Sequence, residues 1–317
     1  MVTQTASHAT LRSLLWFLQK NLSPRENTLL PPLKFFNPET SLSDVLALLP
    51  LQQMRKNQLH EAFGQHVQKE WDLENILTRS EIEEMIGNVL PDIFPLALRY
   101  QGNPAILRKP KVAIIGSRHA TYYGRQQGHL FAKVLAEAGC CIVSGGAIGI
   151  DSIANSRALD SGASCAVIGS GVNKLYPASN IPLFLDLSRS SNGLLLSEFP
   201  DDLPPGKWNF PRRNQTIAAL ADFVLVIEAH VTSGSLITAN AALDFGIDLG
   251  AVPGPVDSMT SSGTNALLKA GAYVIETPSD VLERLASQVR LRKLNIDRSR
   301  LSAKKVHFQV EQKNAAL

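Results

Sequence analysis

Lys111-Val112-Ala113-Ile114-Ile115-Gly116-Ser117-Arg118 is a short apolar, β-branched run that ends in a glycine, a hydroxyl and a guanidinium. Such a run fits a strand buried on both faces. A helical stretch follows, with Leu130, Phe131, Val134, Leu135 and Ala138 on one face, and Gly139 stops it. The same grammar returns in Cys140-Cys141-Ile142-Val143-Ser144-Gly145-Gly146 and in Cys165-Ala166-Val167-Ile168-Gly169. It returns again at residues 194–198, 223–228, 249–254 and 273–276, each pair of runs bracketing a segment of helical periodicity. Near-continuous apolar strands alternating with helices predict an α/β fold, a doubly wound, mostly parallel sheet covered on both faces. The strand ends are rich in Gly, Ser and Thr, and in open α/β sheets ligands bind outside the carboxyl ends of the strands.

Upstream the pattern differs. Residues 1–93 hold only two glycines, Gly64 and Gly87, and read as a small helical module broken by prolines. Ser43-Asp44 before Val45 marks one helix start, with Pro50 as its stop, and Thr78-Arg79-Ser80-Glu81 leads into an amphipathic face at Ile82, Met85 and Ile86. The chain of 317 residues then divides into this module, an α/β domain over 94–287 and a tail over 288–317.

Composition narrows the setting. Hydrophobic residues make up 44% and charged residues 19%, with a mean hydropathy of +0.01, which fits a soluble globular chain. Three cysteines, two of them the neighbours Cys140 and Cys141, suit a reducing compartment better than a disulfide framework. The apolar stretch Leu14–Leu18 is too short for a signal-peptide core or a membrane span, so the expectation is a cytoplasmic protein without a membrane partner. The net charge is +3, and residues 288–317 carry eight Lys and Arg against two acidic residues. A basic tail of this kind is a footprint of a polyanion partner.

Several chemistries are excluded. Gly116-Ser117-Arg118-His119 does not supply the G-x-G-x-x-G of a dinucleotide fold, and Gly169-Ser170-Gly171 is followed by Lys174 where a third glycine belongs. No P-loop and no G-x-S-x-G elbow occurs, and no histidine pair has metal-ligand spacing. What the strand ends share is a capacity for phosphate: Gly116-Ser117-Arg118, Ser144-Gly145-Gly146 and Ser233-Gly234-Ser235 offer backbone N–H groups, hydroxyls and a guanidinium beside helix starts. Phe210-Pro211-Arg212-Arg213-Asn214, preceded by Lys207 and Trp208, sets aromatics among cations, as proteins do to hold an unstacked base and its backbone. Asp151 is expected to cap the helix after Gly149-Ile150, and no nucleophile accompanies Asp151 or Glu228.

These motifs in this order resemble the DprA/Smf family of DNA-processing proteins. They are joined by Ser144–Asp151, Tyr176-Pro177, Ser197-Glu198, Glu228-Ala229, Leu236–Ala239 and Val252-Pro253-Gly254, and run over roughly residues 96–287. The resemblance implies an extended Rossmann-like domain that binds single-stranded DNA, homodimerises, protects incoming strands and loads a RecA-type recombinase in natural transformation. It implies no enzyme activity, no cofactor and no metal. On matching positions, Arg118, Ser144, Gly145, Gly146, Lys207, Phe210, Arg212, Ser233, Gly234 and Ser235 would line the DNA pocket, with Gly116, Ser117, Lys174, Asn214 and Thr238 completing the set. The N-terminal module would correspond to a sterile-alpha-motif-like unit. Three departures stand out: Ala154-Asn155 where the family has Ala-His, Arg213-Asn214-Gln215 where it has Arg-Asn-Arg, and a tail too short for a winged helix. The alternative reading is a nucleotide or nucleoside-phosphate hydrolase of the lysine-decarboxylase-like class, but Pro253-Gly254-Pro255-Val256 does not continue into that class's catalytic loop.

Overall fold

The computed structural model describes residues 2–22, 26, 29–30, 35–37, 40–68 and 75–287; the basic tail lies outside the described residues. The strands are β1 (Ile76–Thr78), β2 (Ala97–Gly102), β3 (Lys111–Ile115), β4 (Cys141–Ser144), β5 (Ala163–Ile168), β6 (Gly193–Ser197), β7 (Phe223–Val226), β8 (Asp248–Ala251) and β9 (Tyr273–Val274). They form one sheet in the order β1-β2-β6-β5-β4-β3-β7-β8-β9. Pairings among β3 to β9 are parallel, whereas β2 runs antiparallel to both β6 and β1. The fold is therefore the doubly wound, Rossmann-like α/β arrangement that the strand and helix alternation predicts.

Alternation along β3 divides the core. Val112 and Ile114 join Phe131, Leu135, Ile142, Ile150 and Phe223 on the face covered by α5 (Tyr122–Glu137) and α6 (Ile150–Ser161). Ala113 and Ile115 join Val143, Val224, Ile217 and Ala239 on the opposite face, under α8 (Asn209–Leu220) and α9 (Ser235–Asp244). Each fully buried aliphatic side chain contributes about 1.5–3 kcal/mol, so a strand buried on both faces anchors both layers. The buried face of α5 is rotated from the expected one: Gly124, Gly128, Phe131, Ala132, Leu135 and Ala136 point inward, whereas Leu130 is 46% exposed. The inward face packs closely at Gly124, where a Cβ would collide with the Glu228 carboxylate, and meets α6 at Gly128, where a Cβ would lie in contact with Ile153 Cγ2.

The N-terminal helices α1 (Val2–Asn21), α2 (Leu42–Leu48) and α3 (Gln53–Gln68) share a core of Leu14, Phe17, Leu18, Val45, Leu46 and Leu59. Leu15 and Trp16 turn instead onto Ile76 and Ala97, so α1 also covers the β1–β2 edge. Two expectations shift here. The start of α2 is Ser41, not Ser43: the Ser41 hydroxyl accepts from Asp44 N while the Asp44 carboxylate accepts from Ser41 N. The stretch expected to be a helical module with breaks up to residue 93 also contains β1, which pairs with β2 at Leu77 and Leu98 and so belongs to the sheet. Three residues are too few to show a period of two. At the following helix α4 (Arg79–Ile86) the Thr78–Glu81 capping box forms as the residue spacing suggests.

Candidate functional site

Strand β3 lies between β4 and β7, so the winding direction reverses between β3 and β7 and their carboxyl ends open a crevice. A cleft of about 680 Å³ occupies it. Its lining joins Gly116, Ser117 and Arg118 after β3, Lys207, Phe210, Arg213 and Asn214 around the start of α8, and Ser233, Gly234, Ser235 and Thr238 at the start of α9.

The loops are tied to one another before any ligand is considered. Ser117 N donates to Glu228 O at 2.7 Å and Ile150 N donates to Ser117 O at 3.1 Å. Gly149, at φ 89°, meets that Ser117 carbonyl so closely that any Cβ would collide with it. Glu228 is buried and accepts from Thr121 N (2.9 Å) and Thr121 Oγ1 (2.8 Å). It braces the start of α5, and its carboxylate is thereby engaged in structure.

Phe210 stands at the centre of the cleft. The guanidinium carbons of Arg118 and Arg213 lie 5.6 and 5.9 Å from its ring centroid, and the Tyr176 ring tilts against it at 5.9 Å. Arg118 is exposed, whereas Arg213 is 4% exposed and donates to Gly145 O and, at 2.6 Å, to Val167 O. Burial pulls the Arg213 guanidinium down to about 10, a tendency that Asp151 opposes, so it stays cationic at neutral pH. Asp151 does not cap α6 with its side chain. Its Oδ2 accepts from Gly145 N at 3.2 Å, and burial raises its carboxyl against the opposing pull of Arg213.

The other expected site residues separate into two groups. Asn214 lines the cleft and donates from Nδ2 to Gly234 O at 3.2 Å, while the Ser233 and Ser235 hydroxyls pair at 2.8 Å. Gly234 precedes α9 without a side-chain hydrogen bond, and the first N–H groups of that start turn back on the loop rather than standing free for an anion, Leu236 N donating to Ser233 O at 3.1 Å and Ile237 N to Gly234 O at 3.2 Å. Gly145 lines a recess adjoining Arg118 and Phe210. Outside the cleft lining stand Ser144, Gly146, Lys174 and Arg212. Ser144 is fully buried and its hydroxyl donates to Ile114 O at 2.6 Å, stitching β4 to β3. Gly146 O accepts from Asn180 Nδ2 at 2.9 Å, and Lys174 points to solvent elsewhere. Arg212 pairs with Glu198 Oε2 at 2.6 Å, because successive helical residues point about 100° apart and Arg213 takes the inward position. Among the cleft residues that the sequence reading leaves out of the binding set are Arg213, Tyr176, His119, His230 and Thr232; two consecutive arginines opening a helix were the available signal for the first.

Among the described residues no group of three or more His, Cys, Asp or Glu is placed to hold a metal ion, and no helix is long and apolar enough to cross a membrane. Burial pushes the Cys140 and Cys141 thiols up to about 11 and about 12 and raises Cys165 as well, so none is poised as a nucleophile.

The family model described as DNA recombination-mediator protein A matches residues 83–286, nearly two thirds of the chain and the whole of the cleft. The chain belongs to this family. Within the recombination-mediator family, protein Smf of Escherichia coli (strain K12) is 42% identical over 193 residues, 61% of this chain and 51% of that protein. DNA processing protein DprA of Streptococcus pneumoniae is 39% identical over 189 residues, 59% of this chain and 66% of that protein. The chain thus spans about half the length of the Escherichia coli relative. The X-ray structure of DprA from Streptococcus pneumoniae matches with a TM-score of 0.73 at 30% identity, covering 86% of this chain and 97% of that one. That coverage reaches beyond the family-model stretch into the helical module. DNA processing protein A from Helicobacter pylori, whose structure addresses its single-stranded DNA binding mode, matches with a TM-score of 0.57 at 35% identity over 61% of this chain and 88% of that one. At Asn155, where the family motif leads one to expect histidine, the side chain is fully buried and donates to Ser164 Oγ (3.1 Å) and Cys165 O (3.0 Å).

Proposed function

We propose that this chain is a recombination mediator that binds single-stranded DNA without sequence preference and without catalysing a reaction. The observation that carries the reading is the half-buried Phe210 ring, open to the cleft and flanked by the Arg118 and Arg213 guanidiniums. Such a ring offers a stacking face to any base, and the Arg118 and Lys207 cations serve the backbone. The Helicobacter pylori relative, with its single-stranded DNA binding mode, supports the same assignment. In this role the chain works in the cytoplasm, protects incoming strands during natural transformation and hands them to a RecA-type recombinase.

The hydrolase alternative needs a carboxylate free to act. Asp151, the carboxylate among the cleft-lining residues, is held by Gly145 N and faces Arg213 electrostatically, which favours binding over catalysis. A homodimer through the later part of the α/β domain belongs to the same proposal. Leu249 and Val252 are buried within the chain, so the apolar surface offered to a partner copy is Val256, Met259 and Val274.

The test is a salt-resolved binding titration with single-stranded and duplex oligonucleotides, run beside a nucleotide-hydrolysis assay and light scattering. Preferential, salt-sensitive single-strand binding by a dimer with no hydrolysis is expected. Equal affinity for both DNA forms, or turnover of nucleotide, would overturn the reading; a monomer at micromolar concentration would remove the dimer.

A further inference from the structure

Trp208 is 78% exposed, the barest aromatic side chain among the described residues, and it lies between two residues of the cleft, Lys207 and Phe210. It is not part of a core beneath the loop. The backbone that carries it is held firmly. Arg99 on β2 grips Asp201 with Nε–Oδ1 at 3.1 Å and Nη2–Oδ2 at 2.7 Å, and Asn173 N donates to Asp201 O at 2.9 Å. At the other end of the loop Asn209 N donates to Gly206 O at 2.9 Å and Asn209 Nδ2 to Gly169 O at 3.1 Å. A large flat ring displayed in water on an anchored loop is an unusual use of tryptophan, and Trp16 by contrast is fully buried. The Lys207 ammonium stands 5.3 Å from the indole centroid. Lys207 lines the cleft, and the indole stands just beyond it.

We infer that Trp208 is a second nucleobase platform at the mouth of the cleft, taking the base that follows the one on Phe210, with Lys207 at the phosphate between them. The inference rests on the single-strand reading above and extends its footprint by one stacked base. Nucleobases suit the position because every base has a π-face and each ring has a cation beside it, Lys207 at Trp208 and Arg118 at Phe210. A protein partner on the same ring is the competing occupant, and DNA binding would then be indifferent to it.

The experiment uses the full chain with Trp208→Ala and Trp208→Phe, an oligothymidylate, and the same oligomer made abasic. The wild-type indole fluorescence is expected to be quenched on titration with oligothymidylate. Trp208→Ala is expected to bind oligothymidylate about five- to a hundredfold more weakly, the range for loss of one stacked base, and to bind the abasic oligomer like wild type. Trp208→Phe should retain most of the affinity and lose the quench, and all three proteins should melt alike because the side chain is exposed. Trp208→Ala binding oligothymidylate within about twofold of wild type would overturn the inference while leaving the single-strand reading intact. An equal loss on normal and abasic strands would overturn it too. A wild-type protein that binds no single strand overturns the reading beneath and this inference with it.

Discussion

The Arg118 guanidinium carbon lies 5.6 Å from the centre of the Phe210 ring, so a residue of the β3 loop and a residue of α8 meet across the cleft. Neither is adjacent to the other in the chain, and the contact exists because the start of α8 is held over the strand ends beside β3, Asn209 Nδ2 donating to Gly169 O after β5 and Arg213 to Gly145 O after β4. Arg118→Ala is expected to lower single-strand affinity by roughly one to two decades, the effect of a charged hydrogen bond worth about 1.5–3 kcal/mol. Arg118→Lys should recover part of it, because an ammonium lacks the planar fork. Phe210→Ala should cost about 1–3 kcal/mol on single strands and much less on duplex, whose bases are already stacked. Titrations of both variants that match wild type would remove the pocket assignment.

The Gly145 peptide is clamped at both ends, its N–H by Asp151 and its carbonyl by Arg213. Arg213→Met would strand two carbonyls and leave the Asp151 charge buried without its neighbour, a loss of about 3 kcal/mol or more. Adding Asp151→Asn should restore part of that loss. Urea denaturation of the single and double variants reads the coupling, and strictly additive effects would show that the two side chains act separately.

Arg99 and Asp201 form a buried ion pair, their side chains 9% and 14% exposed, between β2 and the loop that carries Lys207. Arg99→Ala should destabilise the fold by about 3 kcal/mol and also weaken single-strand binding, because the loop loses its anchor. The discriminating measurement is binding well below the melting transition: normal affinity there would confine Arg99 to stability.

Glu81 joins α4 to α1. Its Oε1 accepts from Arg12, and its Oε2 accepts from Thr78 N at 2.8 Å. Burial raises the carboxyl, but the Arg12 and Thr78 hydrogen bonds outweigh that and hold it below its ordinary 4.5. A depressed folded pKa contributes stability that is present above the unfolded value and is lost as pH falls through the folded one. Glu81→Gln should therefore be less stable than wild type near pH 6, and the difference should narrow as pH falls below the carboxyl's ordinary 4.5 and through its lower folded value. A gap that stays constant down to pH 3 would mean the charge contributes nothing.

The basic residues of 290–317 are expected to act on DNA through charge alone. Deleting them should weaken binding and flatten its dependence on salt, because fewer counterions are released, without changing base preference. An unchanged salt slope would assign the tail to another role.

The doubly wound sheet was legible in the chain because strands buried on both faces are apolar along most of their length, and β3, β4, β5, β6 and β7 are each such a run with at most one polar residue. The placing of the glycine- and serine-rich loops was legible for a related reason: residues that follow parallel strands lie on one edge whatever the details of packing. What side chains do on that edge depended on distance between elements. Helical phase sent Arg213 inward to the Gly145 and Val167 carbonyls and Arg212 outward to Glu198. Proximity turned Ser144 into a strand-to-strand stitch and Asp151 into a loop clamp. At β1 three residues carried too little pattern to be seen, and only pairing with β2 makes them a strand. Backbone pattern is local and survives in one dimension, whereas a hydrogen-bond partner is chosen among groups that meet only once the sheet has closed.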